Sequence, residues 1–385
     1  MPNKTSNVTR PKATQKKQTA RQDTDSPLKT RDVVPFTENR LYVINKSGTG
    51  DVCYLLVKEK FSAILSYHVH TERWAKTVNL SDFGVVALGK FVYVIGGFHK
   101  LRNACVNKVR RFDPAEVTWS HCANLLTARC KFGVCTFRGK IFVCGGEKDG
   151  KITSGCEMYD PEADIWTKCE KLIQPRSSPA CTSLGDVIVC AGGYFNGQIH
   201  DNFWNRIYDR NRWQELGSHS PIKLPYCLQK CAVTLAGDTP GLFFVGGASS
   251  KVQKGVDNSG EETPVNMAYT ERRIFSSNAD VTVKGQQFNL FSMWNTAFPP
   301  MFCARHNAGA VAIGQNIHVI GGTTVETGDH VTVAERFDLI RGEWTKDFTL
   351  KNCDVSNVSC LLMEVSKTPM SERKMMQQRL KWILW

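Results

Sequence analysis

Cysteines are the residues of this chain that could most readily do chemistry: 15 of them, with 9 histidines, stand among 385 residues. A structural zinc site needs matched pairs of cysteine or histidine at short spacing. The closest cysteine pairs lack such a counterpart; they are Cys130 with Cys135 and Cys227 with Cys231. Other cysteines, such as Cys144, stand inside apolar runs, where a reduced thiol behaves as a small hydrophobe. We therefore expect free thiols in a reducing compartment and no bound metal.

The common kinds of enzyme active site need motifs that this sequence lacks. It contains no glycine-rich phosphate loop, no Gly-x-Ser-x-Gly nucleophile elbow and no His-Glu-x-x-His pair. His68 and His70 place two imidazoles on one face of a strand, which would suit a metal ion, but we interpret them as exposed strand polarity. We expect a protein that is not an enzyme and needs no cofactor.

Five glycine doublets each end an apolar run with the composition of a β-strand, as in VYVIGG at 92–97 and IFVCGG at 141–146. The doublets are Gly96 and Gly97, Gly145 and Gly146, Gly192 and Gly193, Gly246 and Gly247, and Gly321 and Gly322. Because glycine has no Cβ atom, a doublet at a fixed place in a repeat indicates a strand that bends where neighbouring backbones crowd together. We assign these glycines a structural role.

A second marker recurs in step with the doublets: an aromatic residue followed seven positions later by tryptophan, as in YDPEADIW at 159–166. The tryptophans assigned to the repeat are Trp74, Trp119, Trp166, Trp213 and Trp344, and Trp294 closes a further unit. Each unit reads as four short strands in roughly 40–50 residues, which is the blade of a β-propeller. Six tryptophan units therefore predict six blades.

The order of diglycine, aromatic residue and tryptophan resembles the kelch repeat over residues 38–366. The resemblance implies an all-β fold, a six-bladed kelch β-propeller. Two units depart from the pattern: the first has Asn45 and Lys46 in place of the glycines, and the fifth has a long loop at about 248–288. The chain starts with what reads as a second strand. A C-terminal strand within 354–366 is therefore expected to complete the first blade and close the ring.

Residues 1–37 and 367–385 fall outside the repeat. We expect the first segment to be a disordered basic tail and the second to be a basic amphipathic segment with a short helix capped by Ser371. The formal net charge of +13 is concentrated in these tails, so nucleic-acid binding by the propeller is not expected. Neither a secretory leader nor an apolar run of about 18 residues is present. We expect no transmembrane segment and a cytoplasmic or nuclear location.

In kelch proteins whose propeller binds peptides, the contacts come from loops after the doublets and before the first strands, which share one mouth of the channel. The resemblance implies the same positions here: Ser81, Asp82, Phe98, His99, Lys131, Glu147, Ser177, Ser178, Tyr194, Asn196, Gln229, His306, Asn307, Thr323 and Asn357. Aromatic rings beside hydrogen-bonding groups suit an extended peptide or loop of a partner protein. Because Lys131 and Lys148 are balanced by nearby carboxylates, an acidic ligand is not favoured over a neutral one.

The resemblance extends to the BTB-kelch family, in which BTB and BACK domains precede a propeller that recruits substrates to a cullin-RING ubiquitin ligase. About 37 residues precede the first strand here, so we expect only the recognition half. The chain is then a non-enzymatic substrate adaptor module, acting through a full-length BTB-kelch partner in ubiquitin-dependent degradation. An actin-binding or scaffold kelch protein is the alternative. Whether the chain is an isoform, a fragment or a stand-alone protein stays open.

Overall fold

The computed structural model describes residues 36–57, 70–184, 187–199, 203–207, 212–215, 230, 232–236, 241–256, 262–270, 274–279, 290–295, 298–324 and 327–367. The predictions for the N-terminal tail up to residue 35 and for the C-terminal helix with its cap Ser371 lie outside these residues, as do His68 and Gln229. The first strand begins at Phe36 and the last strand ends at Lys367, close to the predicted propeller bounds.

The first half of the chain contributes strands to three units. The first unit has β1 (Phe36–Asn45), β2 (Asp51–Val57) and β3 (His70–Arg73). The second has β4 (Leu80–Ser81), β5 (Gly84–Leu88), β6 (Phe91–Ile95), β7 (Phe98–His99), a 3₁₀ turn at Lys100–Arg102, β8 (Ala104–Cys105), β9 (Val109–Asp113) and β10 (Thr118–Cys122). The third has β11 (Gly133–Phe137), β12 (Lys140–Cys144), β13 (Glu147–Lys148), β14 (Lys151–Ile152), β15 (Cys156–Asp160) and β16 (Ile165–Cys169).

The second half contributes strands to three further units and the closing strand. The fourth unit has β17 (Ala180–Leu184), β18 (Val187–Ala191), β19 (Tyr194–Phe195), β20 (Gln198–Ile199), β21 (Phe203–Ile207) and β22 (Arg212–Glu215). The fifth has β23 (Ala232–Ala236), β24 (Gly241–Val245), β25 (Ala248–Val256), β26 (Glu262–Thr270), β27 (Ile274–Ala279) and β28 (Leu290–Asn295). The sixth has β29 (Gly309–Ile313), β30 (Asn316–Ile320), β31 (Val333–Asp338) and β32 (Glu343–Thr349), and β33 (Val358–Lys367) follows.

Four-stranded antiparallel sheets are the main elements of the described residues. Five of these sheets keep their strands in chain order: β5-β6-β9-β10, β11-β12-β15-β16, β17-β18-β21-β22, β23-β24-β27-β28 and β29-β30-β31-β32. A sixth has the order β33-β1-β2-β3. The smaller sheets β4-β7-β8, β13-β14, β19-β20 and β25-β26 lie between the main strands. The predicted all-β propeller class is confirmed, and the sheet count is consistent with six blades.

The last strand of the chain pairs with the first, as the sequence predicts. β1 and β33 are antiparallel neighbours from Phe36↔Lys367 to Asn45↔Val358. The first strands of the six sheets also contact one another in the order β5, β11, β17, β23, β29, β33 and back to β5. This succession is consistent with a closed ring in which no blade stands at an open end.

The segment expected to be a long loop at about 248–288 contains regular structure. β25 and β26 pair from Ala248↔Thr270 to Val256↔Glu262, and β27 is the third strand of its blade. Pairing of this kind satisfies main-chain N–H and C=O groups whatever side chains the strands bear, so a polar segment without an apolar pattern can still form it. The structure replaces part of the expected open loop with a hairpin.

Glycines of the doublets and tryptophans of the repeat lie at contacts between neighbouring blades. Gly145 has a φ of 67°, and a Cβ atom there would lie 2.6 Å from the main-chain oxygen of Arg176, at the start of the next blade. Three tryptophans donate from Nε1 to a main-chain oxygen of the preceding blade: Trp166 to Ala123 at 2.9 Å, Trp213 to Glu170 at 3.1 Å and Trp344 to Pro299 at 2.8 Å. Each ring therefore fills the space between two blades and links their backbones.

Buried arginines form a third repeat marker, which the sequence analysis missed. Each donates to the main-chain oxygen of the first glycine of a doublet 16 residues later: Arg129 to Gly145, Arg176 to Gly192 and Arg305 to Gly321. Two of these guanidinium groups also pair with a buried carboxylate, Arg129 with Glu157 and Arg305 with Glu335. These contacts fasten the segment before each first strand to the doublet of the same blade.

Candidate functional site

Short β-bridges bring the two predicted loop sets together in four blades. In each bridge, a residue before the first strand pairs with a residue after the doublet: Ser81↔Phe98, Cys130↔Glu147, Ser177↔Tyr194 and His306↔Thr323. The side chains of these residues are partly exposed except for those of Ser81, Cys130 and Ser177, which are buried. The structure thus places the predicted positions next to one another, blade by blade.

Main-chain hydrogen bonds then link one blade to the next around the axis. The inner ring, as we name it, consists of Lys46, Asp82, Lys131, Ser178, Lys230, Asn307 and Asn357. Its N–H donors and C=O acceptors are Asp82 to Lys46, Lys131 to Asp82, Ser178 to Lys131, Lys230 to Ser178 and Asn307 to Lys230, at 2.7–3.2 Å. Val358 N–H donates to Asn307 at 2.9 Å, and Lys46 N–H donates to Asn357 at 2.6 Å, which completes the circuit.

The backbone of the inner ring is held in a conformation that L-residues rarely adopt. Five members have φ between 51° and 55°: Asp82, Lys131, Ser178, Lys230 and Asn307. A left-handed backbone costs a non-glycine residue about 1–2 kcal/mol, although short polar side chains such as Asp and Asn tolerate it better. The same conformation recurs at equivalent positions, so we attribute it to the main-chain hydrogen bonds that it makes possible.

Two carboxylates are held in fixed positions at the inner ring. Lys131 Nζ lies 3.0 Å from Glu147 Oε2, and the Ser177 hydroxyl donates to Glu147 Oε1 at 2.7 Å. Asn357 Nδ2 donates to Asp82 Oδ1 at 3.0 Å. Burial disfavours the charge of Lys131, but the hydrogen bond with Glu147 and the attraction of Glu147 and Asp82 together outweigh it, so the pKa of Lys131 is raised.

Two further lysines of the inner ring change the predicted charge balance. Burial lowers the pKa of Lys46 and of Lys230, and the attraction of Asp82 only partly offsets this effect. Among the described residues, neither ammonium group lies within ion-pair distance of a carboxylate. Three lysines therefore face two carboxylates. Lys148, which the expected balance counted, is exposed on the β13–β14 hairpin.

The alignment of the repeats could have identified Lys230 but not Lys46. Asp82, Lys131 and Asn307 each stand two residues before the first residue of a first strand, and Lys230 stands at the same offset from Ala232. Gln229, the residue predicted as a mouth contact in this unit, stands one position earlier in the sequence. Lys46 follows the second strand of the first unit, where the other units have glycine, and nothing in its local sequence indicates a place on the ring.

The remaining predicted residues lie in the loops beside the inner ring. His99 Nδ1 accepts from the N–H of Arg102 at 3.3 Å and caps the 3₁₀ turn. Tyr194 is half-buried at the start of the β19–β20 hairpin, and Asn196 is exposed at its turn. Thr323 Oγ1 donates to the main-chain oxygen of Ser356 at 2.7 Å, across to the next blade. These residues offer a tyrosine ring and several polar groups next to a charged ring.

Comparison with known proteins agrees with this repeat structure. The family model described as Kelch motif matches residues 79–126, 128–173 and 304–346. A solved structure named "Structure of YjhT" superposes on 82% of this chain and 98% of its own with a TM-score of 0.62. The sequence identity is 16%, so this likeness concerns the fold alone.

Several curated proteins are similar in sequence to part of the chain. Kelch-like protein 40 of mouse is 29% identical over 189 residues, which are 46% of this chain and 30% of that protein. The F-box/kelch-repeat protein SKIP30 of Arabidopsis thaliana is 29% identical over 151 residues, 35% of this chain and 40% of that protein. Human Kelch-like protein 23 is 23% identical over 282 residues, 71% of this chain and 43% of that protein. The chain thus spans less than half the length of these relatives. Among the described residues, no helix has the length and apolar character needed to cross a bilayer.

Proposed function

Because this chain is a kelch-repeat protein with a propeller fold, we propose that it is a protein-interaction module that binds an extended peptide or loop of a partner at the inner ring and the loops beside it. The observation that supports this proposal is the inner ring itself. It gathers side chains from all six blades at one place, where a single extended segment can contact several of them. The bridges Ser177↔Tyr194 and His306↔Thr323 add a tyrosine ring and hydrogen-bonding groups at the same place.

The charge of the inner ring favours a bound segment with an acidic side chain. Lys46 and Lys230 lose hydration by burial and gain no carboxylate partner among the described residues. A carboxylate from a ligand would supply the missing partner, and charge-assisted hydrogen bonds are the stronger kind. Tyr194 would offer an amphipathic contact of the sort found at interaction hot spots.

Substrate recognition for a cullin-RING ubiquitin ligase is the setting that we propose for this binding. The support for this setting is the sequence similarity to kelch-like proteins. The partner would be delivered to the ligase by way of a full-length BTB-kelch protein. We place the protein in the cytoplasm or nucleus, where the 13 free cysteines among the described residues would stay reduced.

Affinity capture with mass spectrometry tests the binding proposal. The wild-type chain is compared with the double variant Tyr194→Ala, His306→Ala at the mouth and with Ile340→Ser as the control. Ile340 is 80% exposed in the turn between β31 and β32, at the other end of the strands from the doublets. A partner that the wild type and the control retain and the double variant loses supports the proposal. Identical partner sets for all three proteins would overturn it.

Protein turnover tests the link with the ligase separately. Cells are depleted of the chain, and the half-life of the captured partner is measured with and without an inhibitor of cullin activation. We expect depletion to lengthen the half-life, and the inhibitor to remove the difference. An unchanged half-life would refute the ligase role while leaving the binding role intact. Cosedimentation with actin filaments, lost in the double variant, would replace the ligase role with the cytoskeletal alternative.

A further inference from the structure

Two cysteines from neighbouring blades lie in contact beside the inner ring. Cys105 is on β8, and Cys130 directly precedes Lys131 of the inner ring. Their Sγ atoms are 3.4 Å apart, and Cys105 Sγ is also 3.4 Å from the main-chain oxygen of Glu147. Cys130 is fixed in place, since its N–H and C=O exchange hydrogen bonds with Glu147 at 3.0 and 2.8 Å.

The two thiols differ in exposure and in acidity. Cys130 is 2% exposed, whereas Cys105 is partly exposed at the surface of the small β4-β7-β8 sheet. Hydrogen bonding with the Cys130 thiol lowers the pKa of Cys105 to about 7. The same contact, together with burial, raises the pKa of Cys130. An accessible thiolate therefore lies next to a protected thiol, which is the arrangement of an attacking and a resolving cysteine.

Among the described residues, one other pair shares this asymmetry: hydrogen bonding between Cys53 and Cys353 raises the pKa of the buried Cys53 and lowers that of the partly exposed Cys353. A group of closely spaced thiols between two blades lacks it. Cys144 lies 3.8 Å from both Cys181 and Cys190, and Cys181 lies 3.7 Å from Cys135. Mutual hydrogen bonding and burial raise the pKa values of Cys144, Cys181 and Cys190 well above the usual range. Cys144 and Cys190 are buried in the core cluster between two blades, and the raised pKa of the partly exposed Cys181 disfavours its reactive thiolate form.

We propose that Cys105 and Cys130 form a modification site, at which a hydroperoxide converts the two thiols into a disulfide. The Cys105 thiolate attacks one peroxide oxygen, so that an S–O bond forms, the O–O bond breaks, and the departing oxygen leaves as water after protonation. The Cys130 sulfur then attacks the sulfenic sulfur of Cys105 and loses its proton, and a second water leaves. Two thiols are oxidised and one hydrogen peroxide molecule is reduced to two molecules of water.

The disulfide would link the β7–β8 segment, which carries the predicted contact residue Phe98, to the inner ring. Cys105 pairs with Phe98 across β7 and β8, and Cys130 adjoins Lys131. Closing the disulfide requires the sulfur atoms to approach from 3.4 Å to about 2.05 Å.

Peroxide titration with peptide mapping tests the site directly and does not depend on the identity of any partner. The reduced full-length chain is treated with hydrogen peroxide at pH 7.4, blocked with N-ethylmaleimide and digested with trypsin. We expect the peptide 103–108 to appear linked to the peptide that begins at Cys130, before Cys122, Cys144 or Cys190 is oxidised. The rate should rise with pH through about 7 and level off above it, because the thiolate is the reactive form.

Three single variants make the test specific, each checked for an unchanged melting temperature. Cys130→Ser should leave a sulfenic acid on Cys105 that dimedone traps, and Cys105→Ser should leave Cys130 unmodified at the same peroxide dose. Cys122→Ser is the control, since Cys122 is partly exposed but burial raises its pKa. Its oxidation map should match that of the wild type. Oxidation of Cys105 no faster than that of Cys122, or oxidation without the link to Cys130, would overturn the proposal.

Discussion

Replacing Glu335 with glutamine should destabilise the protein strongly, although the two side chains have almost the same shape. Glu335 and Arg305 are fully buried, with Arg305 Nη2 donating to Glu335 Oε1. The carboxylate also accepts from the main-chain N–H groups of Phe302 at 2.7 Å and Cys303 at 2.9 Å. A carboxamide offers one oxygen and presents an NH₂ group to donors, so Glu335→Gln leaves a buried guanidinium without a counter-charge.

The expected loss of unfolding free energy comes from the buried guanidinium that Glu335→Gln leaves without a counter-charge. Removing one partner of a buried ion pair costs about 3–5 kcal/mol. With a urea m-value of about 3 kcal/mol/M, the unfolding midpoint should fall by roughly 1–1.7 M. Tryptophan fluorescence can follow the transition. Glu343→Gln is the control, because Glu343 is exposed on β32, and its midpoint should stay close to that of the wild type. Equal midpoints for the two variants would refute the idea that the buried pair holds the blade together.

Three further predictions address the doublets, the ring and the closing strand. Gly145→Ala should cost about 1–3 kcal/mol in urea unfolding, whereas Gly139→Ala should cost less, because both glycines have positive φ but only the first Cβ would meet a main-chain oxygen within 3 Å. Equal losses would contradict this. Lys46→Met and Lys230→Met should each raise stability at pH 7, since the folded-state pKa of both lysines is lowered. The gain should disappear above about pH 10.4, where lysine is neutral in both states, and a gain that persists there would show another cause. Removal of 358–385 should abolish cooperative unfolding and near-ultraviolet circular dichroism, because it deletes β33; a cooperative transition in the truncated chain would count against closure.

The propeller could be predicted from the sequence because its markers are local. A doublet at the end of an apolar run and a tryptophan seven residues after an aromatic are each visible within one unit. The pairing of β1 with β33 followed from the same reasoning, since the first unit lacks a first strand and 354–366 contains an unmatched one. The backbone geometry at the doublets and the large buried area at the tryptophan positions can be satisfied by few other residue types.

The buried charged residues were not predicted from the sequence, because a charged side chain is usually exposed to solvent. Arg129 and Glu157 are buried and paired, and only the constant spacing of 16 residues from arginine to doublet could have identified the arginines. Lys46 joins the inner ring through main-chain hydrogen bonds with Asn357 and Asp82, which stand far from it in the sequence. No pattern around residue 46 indicates these contacts.

Site-specific photocrosslinking tests the central claim most directly, namely that the inner ring and its loops are the surface that binds a partner. A photoreactive phenylalanine analogue is placed at Tyr194 and, in a second protein, at Ile340, and both are irradiated with the partner identified by affinity capture. We predict a crosslinked product from position 194 that an excess of the partner's binding peptide suppresses, and no product from position 340. A product from position 340 with none from position 194 would contradict the account.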